Sequence, residues 1–231
     1  MPLNCQAHAY ADDTTFSLSH HSPTQVQDLI SQDLKLIERW CTANKMVIHT
    51  TKSHYVVINP SPSHTFSLSI AGKELKEATF TKLLGLTFNN NLTWGNHVSS
   101  ITAKILQNLR LLFNIRHLIG FKTAIKYYNN FIHPYLTYGI SLYYPLSPLT
   151  LTKPLHILQN RTLRLVCGSQ QKRKKTLSNL FIAHSTNVLP LPHLSTYFAC
   201  ICAHSIKLRQ CSPYLYKPFA GTSIRKNPLS T

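Results

Sequence analysis

CQAHAYADDTTFSL, residues Cys5 to Leu18, is two short runs of strand-forming residues closed on a pair of carboxylates. Cys5 to Tyr10 and Thr14 to Leu18 fit strands, and Ala11-Asp12-Asp13 fits the turn between them. The result is a hairpin with acids at its tip. Carboxylates in a tight turn can ligate Mg²⁺ through oxygen while leaving room for waters and phosphate. Nucleotidyl transfer needs divalent ions held in this manner. Taken alone, two aspartates in a turn are more often turn chemistry than a metal site. The flanking sequence has to decide.

Downstream, Ser22-Pro23-Thr24-Gln25 reads as a helix start, with Ser22 as N-cap, Pro23 in the first turn and Gln25 closing a capping box. Val26, Leu29, Ile30, Leu34, Ile37, Trp40 and Cys41 then recur at three- and four-residue spacing, which predicts an amphipathic helix to about Asn44. From Met46 to Phe88 the pattern is that of strands: Tyr55 to Ile58, the alternation Phe66, Leu68, Ile70 ending on Gly72, and Leu83 to Phe88 before the turn-forming Asn89-Asn90-Asn91. After Asn96 the chain reads helical. Val98, Ile101, Ile105, Leu109, Leu112 and Ile115 form one stripe with Gly120 as C-cap. A second helix over Lys122 to Ile132 stops before Pro134. A third covers Leu151 to Val166, with Leu151, Leu155, Leu158 and Leu165 inward, and ends near Gly168. Lys172-Arg173-Lys174-Lys175 is a basic linker. Weaker helices follow over Leu177 to His184 and His193 to Arg209, with a loose tail from Pro213. Trp40 and Trp94 read as core aromatics.

Charge is distributed unevenly. Residues 1 to 77 hold all seven acids and six Lys/Arg, for −1; residues 78 to 231 hold eighteen Lys/Arg and no acidic side chain, for +18, which accounts for the net +17. A stretch with no carboxylate side chain cannot neutralise itself by internal ion pairs, and its field attracts a polyanion, of which nucleic acid is the usual one. No apolar run approaches the roughly 20 residues of a membrane-spanning helix, and residues 1 to 5 do not read as a secretory leader. Six scattered cysteines are therefore expected to be reduced thiols in the cytoplasm or nucleus.

Several ordered motifs give the hairpin a context. Tyr10 to Thr15 (YADDTT) resembles the YADD hairpin, motif C, of LINE-type (non-LTR) retrotransposon reverse transcriptases. Trp40, then Asn44-Lys45-Met46-Val47-Ile48-His49-Thr50-Thr51-Lys52-Ser53, resembles that family's W-x-x-x-N-x-L-x-x-N-x-x-K-[ST] pattern, with Met46 for Leu and His49 for the second Asn. Lys82-Leu83-Leu84-Gly85-Leu86 followed by Leu92-Thr93-Trp94-Gly95-Asn96-His97 is similar to the family's K-x-L-G-[VIL] and L-x-W-x-x-H stretch. Tyr127 to Gly139 (YYNNFIHPYLTYG) and Leu158 to Leu165 (LQNRTLRL) resemble its thumb and connection.

The resemblance implies an α+β fold. An incomplete palm of antiparallel hairpins plus one helix spans residues 1–95, a helical thumb 96–168, and a basic helical connection with a loose C-terminal tail 169–231. It implies RNA-directed DNA polymerisation with Mg²⁺ as the parent activity. Asp12 and Asp13 become metal ligands, Lys52 the motif D lysine near the leaving pyrophosphate, and Leu84 and Gly85 the primer grip. Arg110, Arg116, Lys122, Lys126, Arg161 and Arg164 become contacts to an RNA–DNA or RNA template–primer duplex. The family's fingers, motif A with a further metal-binding aspartate, and motif B precede its YADD hairpin, whereas nine residues precede Tyr10 here. Two-metal catalysis needs that aspartate, so a truncated remnant is expected, inactive alone unless an upstream polymerase fragment completes it.

Two other readings compete. One is a basic nucleic-acid-binding module without catalysis. The other takes Lys82 to Lys126 as an AlkB-type tRNA-modification segment, a dioxygenase or methyltransferase; it lacks the H-x-D or H-x-E triplet of an iron site and a Gly-rich cofactor loop after a strand. Cys200, Cys202, His204 and Cys211 invite zinc, but the C-x-C spacing sends the first two thiols to different faces of a helix. No small-molecule cofactor is expected.

Overall fold

The structure, a computed structural model, describes residues 3–60, 64–168, 185–211 and 215. The basic linker Lys172 to Lys175, the weak helix over Leu177 to His184 and, apart from Leu215, the tail from Pro213 lie outside the described residues. The chain divides into two compact units, Met1–Thr93 and Trp94–Thr231. It is a mixture of helices and small sheets. No helix among the described residues is long and apolar enough to cross a membrane.

In the first unit β1 (Gln6–Tyr10) pairs antiparallel with β2 (Asp13–Ser17), Tyr10 facing Asp13 and Gln6 facing Ser17. α1 (Pro23–Ala43) follows, with Pro23 in its first turn, where the missing N–H costs no hydrogen bond. The expected capping box does not form. The Ser22 hydroxyl pairs with Thr24 Oγ1 at 2.8 Å, and no side chain caps the helix start. At the other end Met46 N donates to Cys41 O (2.8 Å) and Lys45 N to Thr42 O (3.1 Å). With Lys45 at φ 56°, this is a Schellman turn in which a lysine occupies the left-handed position usually given to glycine.

Leu34 packs with Leu68, Ile70 and Leu75, flanked by Ile30, Ile37, Ile48 and Tyr55. Trp40, expected in this core, is 55% exposed; six residues past Leu34, it lies about 120° round the helix from the packed stripe. The expected strands break into pieces. β3 (His54–Tyr55) runs parallel to β6 (Lys76–Glu77), and the remainder of Tyr55 to Ile58 is not strand. β4 (Ser69–Ile70) turns through Ala71-Gly72 onto β5 (Lys73–Glu74). The single strand expected over Leu83 to Phe88 is a hairpin instead, β7 (Phe80–Leu83) against β8 (Leu86–Asn89), with Leu84-Gly85 as its loop.

The second unit is helical: α2 (Gly95–Ile115), α3 (Phe121–Phe131), α4 (His133–Thr137), α5 (Ile140–Tyr143), α6 (Leu149–Cys167) and α7 (Leu191–Lys207). On α2 the predicted stripe is buried from Val98 through Leu112, and Ile115 is half-buried. Gly120 caps the start of α3, not the end of α2. α3 ends at Phe131, before Pro134 as the sequence predicts; Pro134 then enters the first turn of a further short helix, α4, and Gly139 at φ 68° redirects the chain into α5. On α6 Leu155 and Leu158 are buried and Leu151 and Leu165 half-buried; Thr162 and Val166 complete the inner face. Two buried polar side chains are paired to backbone. Tyr143 Oη donates to Leu136 O at 2.7 Å. Gln159 bridges α6 to the start of α7, its Nε2 donating to Leu189 O (3.0 Å) and its Oε1 accepting from Leu191 N (3.1 Å).

Three histidines of this unit are pushed below their ordinary value: His97 by burial and by the nearby Lys104, and His133 and His156 by burial. Each is held neutral when folded and takes a proton near its ordinary value of 6.5 once unfolded. The unfolded chain therefore binds more protons, and stability falls as pH drops below about 6.5. Thermal unfolding followed by circular dichroism should show the midpoint falling steadily between about pH 7 and pH 5. A midpoint that holds or rises over that window would contradict the neutral burial of these rings.

Candidate metal-binding hairpin and basic helical surface

The β1–β2 loop consists of Ala11, at φ 53°, and Asp12; Asp13 opens β2 opposite Tyr10. Both aspartates are exposed. What fixes this hairpin to the rest of its unit is a carboxylate that sequence reasoning passed over. Asp33 on α1 is 1% exposed. Its Oδ2 accepts from Cys5 N at 2.7 Å and its Oδ1 from Asn4 Nδ2 at 2.9 Å, at the entry to β1. Burial raises the Asp33 carboxyl, but the hydrogen bonds from Cys5 and Asn4 outweigh it and leave it below the ordinary carboxylate value. Burial, with the Asp33 charge beside it, pushes the Cys5 thiol up to about 12, so that thiol is inert near neutrality. A signal was present in the sequence: Asp33 falls on the apolar stripe between Ile30, Leu34 and Ile37, where an acid must have a partner.

Asp12 and Asp13 suit a Mg²⁺ ion that keeps several waters and takes its other ligands from phosphate, the usual habit of this ion. Among the described residues no group of three or more His, Cys, Asp or Glu is gathered to hold a metal. Lys52 is exposed, in a turn where its N–H donates to His49 O at 3.0 Å. Leu84 (φ 47°) and Gly85 (φ 84°) form the tip of the β7–β8 hairpin. Two successive positive φ values suit the right-handed strand twist, but they normally take Asn-Gly. Cys200, Cys202 and His204 are exposed on α7.

Of the six cations proposed for a polyanion, five are exposed: Arg110 on α2, Lys122 and Lys126 one turn apart on α3, and Arg161 and Arg164 on α6. Lys153, also exposed, shares the α6 face. Arg116 does not join them, which corrects the sequence reading. It is 8% exposed, and its guanidinium donates to Leu165 O (2.9 Å), Ile119 O (2.8 Å) and Val166 O (2.8 Å). Carbonyls at the end of α6 carry the negative end of its dipole, and Arg116 caps them.

No protein-family model matches this chain, and no solved structure does. Its distant homologues are reverse transcriptases, the RNA-directed DNA polymerases of mobile elements. It is 23% identical over 163 residues to the RNA-directed DNA polymerase from mobile element jockey of Drosophila melanogaster. It is 25% identical over 167 residues to the probable RNA-directed DNA polymerase from transposon BS of the same species, and 22% identical over 163 residues to the jockey polymerase of Drosophila funebris. These matches take in 68–69% of this chain and 18% of each relative.

Two substitutions test the local geometry. Asp33→Asn leaves Cys5 N and Asn4 Nδ2 short of an acceptor and should cost the first unit about 2 kcal/mol at neutral pH. Because the folded carboxyl sits below its ordinary 3.8, that difference is fully present above pH 3.8 and fades as pH falls through the lower folded value. Denaturant titrations of both proteins at several pH values measure it, and equal stability at neutral pH would refute the anchor. Leu84→Asn places Asn-Gly in the left-handed turn and should stabilise by about 1 kcal/mol; a loss in the same titration would refute the strained turn.

Proposed function

We propose that these 231 residues are the YADD-hairpin-through-thumb portion of a LINE-type reverse transcriptase. In this reading residues 1–95 supply part of the palm, 96–168 the thumb and 169–231 the connection. Asp12 and Asp13 supply one loop of a Mg²⁺ site, Lys52 approaches the leaving pyrophosphate, and Leu84-Gly85 guides the primer end. Arg110, Lys122, Lys126, Arg161 and Arg164 contact the phosphates of an RNA–DNA or RNA duplex. The observation that carries it is the hairpin itself, an Asp-Asp pair at the tip of a two-stranded ribbon beside Tyr10. The homologues named above support the polymerase ancestry.

When bound, Mg²⁺ would polarise the attacking hydroxyl and neutralise the phosphates. The chain's own part is to hold carboxylate oxygens at an exposed tip and to fix that tip through Asp33. Two-metal transfer draws acids from more than one loop, and the hairpin is one. We therefore infer that the 231 residues do not copy a template unaided, and that they act in the nucleus or cytoplasm, where their six free cysteines stay reduced. A second reading, a basic nucleic-acid-binding module without catalysis, is favoured by the absence of acidic side chains after residue 77.

The test has two arms. Duplex affinity should fall steeply with salt, and replacing Arg161 and Arg164 by Gln should reduce the slope of log affinity against log salt by about 2. Binding that ignores salt would end both readings. In a template-primed extension assay with Mg²⁺ and dNTPs the isolated chain should incorporate nothing; robust extension would overturn the inference of inactivity. Binding that gains affinity from Mg²⁺ in the wild type but not in Asp12→Asn/Asp13→Asn favours the polymerase reading over the bare binding module.

A further inference from the structure

Lys122, Lys126 and Asn129 follow one another along an exposed face of α3 at spacings of four and three residues. At Asn129 that face meets a cleft of about 260 Å³. Asn129, His133 and Asn187 offer it polar groups, and Val188, Leu189 and Leu194 offer it apolar wall. Among the described residues no charged side chain lines it, so a phosphate would meet no cation from them there. The Nδ1 of His133 is buried behind this wall, so the exposed Asn129 carboxamide is the group most open to a ligand.

Chemistry and size both narrow the ligand. A carboxamide can pair with two atoms of a base edge at once, as Asn does with adenine, and the aliphatic wall suits the face of a flat ring. The volume lies below the roughly 300–1,000 Å³ of an ordinary small-molecule pocket, which fits one ring system and not a whole dinucleotide. Position supplies the rest. Along the helix axis Asn129 is about 10 Å from Lys122 and about 4.5 Å from Lys126, so cations for a backbone lie next to a neutral slot for a base.

We propose that this cleft takes a single unpaired nucleobase from a strand whose phosphates run along Lys122 and Lys126. The inference rests on the nucleic-acid-binding reading above and goes beyond it, since it assigns a base-holding site outside the hairpin and primer-end positions. A base leaves its stack most readily where it is unpaired already, so bulges and single-stranded ends are the substrates selected.

The experiment is a fluorescence titration of the whole chain with two RNA duplexes, one carrying a single unpaired 2-aminopurine and the other fully paired. The unpaired probe should bind about tenfold tighter, the discrimination expected of one good bidentate contact, and its emission should change on binding. Asn129→Ala, at an exposed position, should abolish the preference while the paired duplex binds as before. Leu189→Trp, at a position 48% exposed, should do the same by filling the cleft. Equal affinity for both probes in the wild type would overturn the base site and leave the nucleic-acid reading standing. Failure to bind either probe at low salt would overturn both. Adenosine alone competing as strongly as the strand would replace the proposal with a nucleoside site.

Discussion

A helical unit with no acidic side chain cannot use ion pairs between side chains to organise its interior. That constraint bears on where the described cations of this unit go. Among the described residues Arg116 is the cation drawn into the core, and backbone replaces carboxylate as its partner: three carbonyl oxygens within 2.9 Å, two of them in the last turn of α6. A guanidinium has five donors in a fixed fork, so a single residue can take up carbonyls from α6 and from the α2–α3 turn together. Lys104 illustrates the milder solution, lying 5.4 Å from the centroid of the Tyr135 ring. The interior is otherwise closed with neutral groups, Gln159 between α6 and α7 and Tyr143 against Leu136. The other cations named here are left on the surface, where their field is unopposed. An attraction for a polyanion, as proposed, would follow directly from how this unit is built.

The first unit inverts the arrangement. It holds a buried charge of the opposite sign, Asp33, and spends it on two donors at the entry to β1. The β1–β2 ribbon has little apolar burial of its own, since every residue of β1 is exposed, and an isolated two-stranded hairpin is marginal in water. Asp33 therefore matters more to this ribbon than its own packing does. The same bonds that keep the carboxyl ionised hold the chain next to the turn carrying Asp12 and Asp13.

Much of this was legible in the sequence, and the failures have physical causes. The apolar stripes of α1 and α2 are long and regular, so their helices and most of their buried residues could be read directly. Ala71-Gly72 announced a turn because glycine accepts positive φ. Leu84-Gly85 did not, because a leucine at φ 47° is a conformation that propensity argues against. α4 and α5, of five and four residues, span little more than one helical turn, too little for an apolar repeat to show, and Pro134 reads equally as a stop or a start. Arg110 and Arg116 are indistinguishable by composition. They differ because Arg116 sits at the cap of α2, where the chain turns back against α6, and that is a tertiary fact. The YADD tip was legible as a hairpin; that a residue twenty positions downstream anchors it was not inferred, although an acid in an apolar stripe marked the place.

The hairpin tip and the basic helices, each taken by itself, also obey different electrostatics. The helical unit presents exposed cations, so a polyanion would need no bridging ion to approach it. The hairpin tip is the reverse case: Asp12 and Asp13 are adjacent exposed carboxylates, and a phosphate near them is repelled unless a cation stands between. Any engagement of the tip with a primer end must therefore run through a divalent ion, while engagement of the helices need not. The proposed binding and metal-dependent roles are separable for that reason. In the proposed reading, removing an acid loop would end turnover and leave the hold on duplex, because that hold would not depend on the metal.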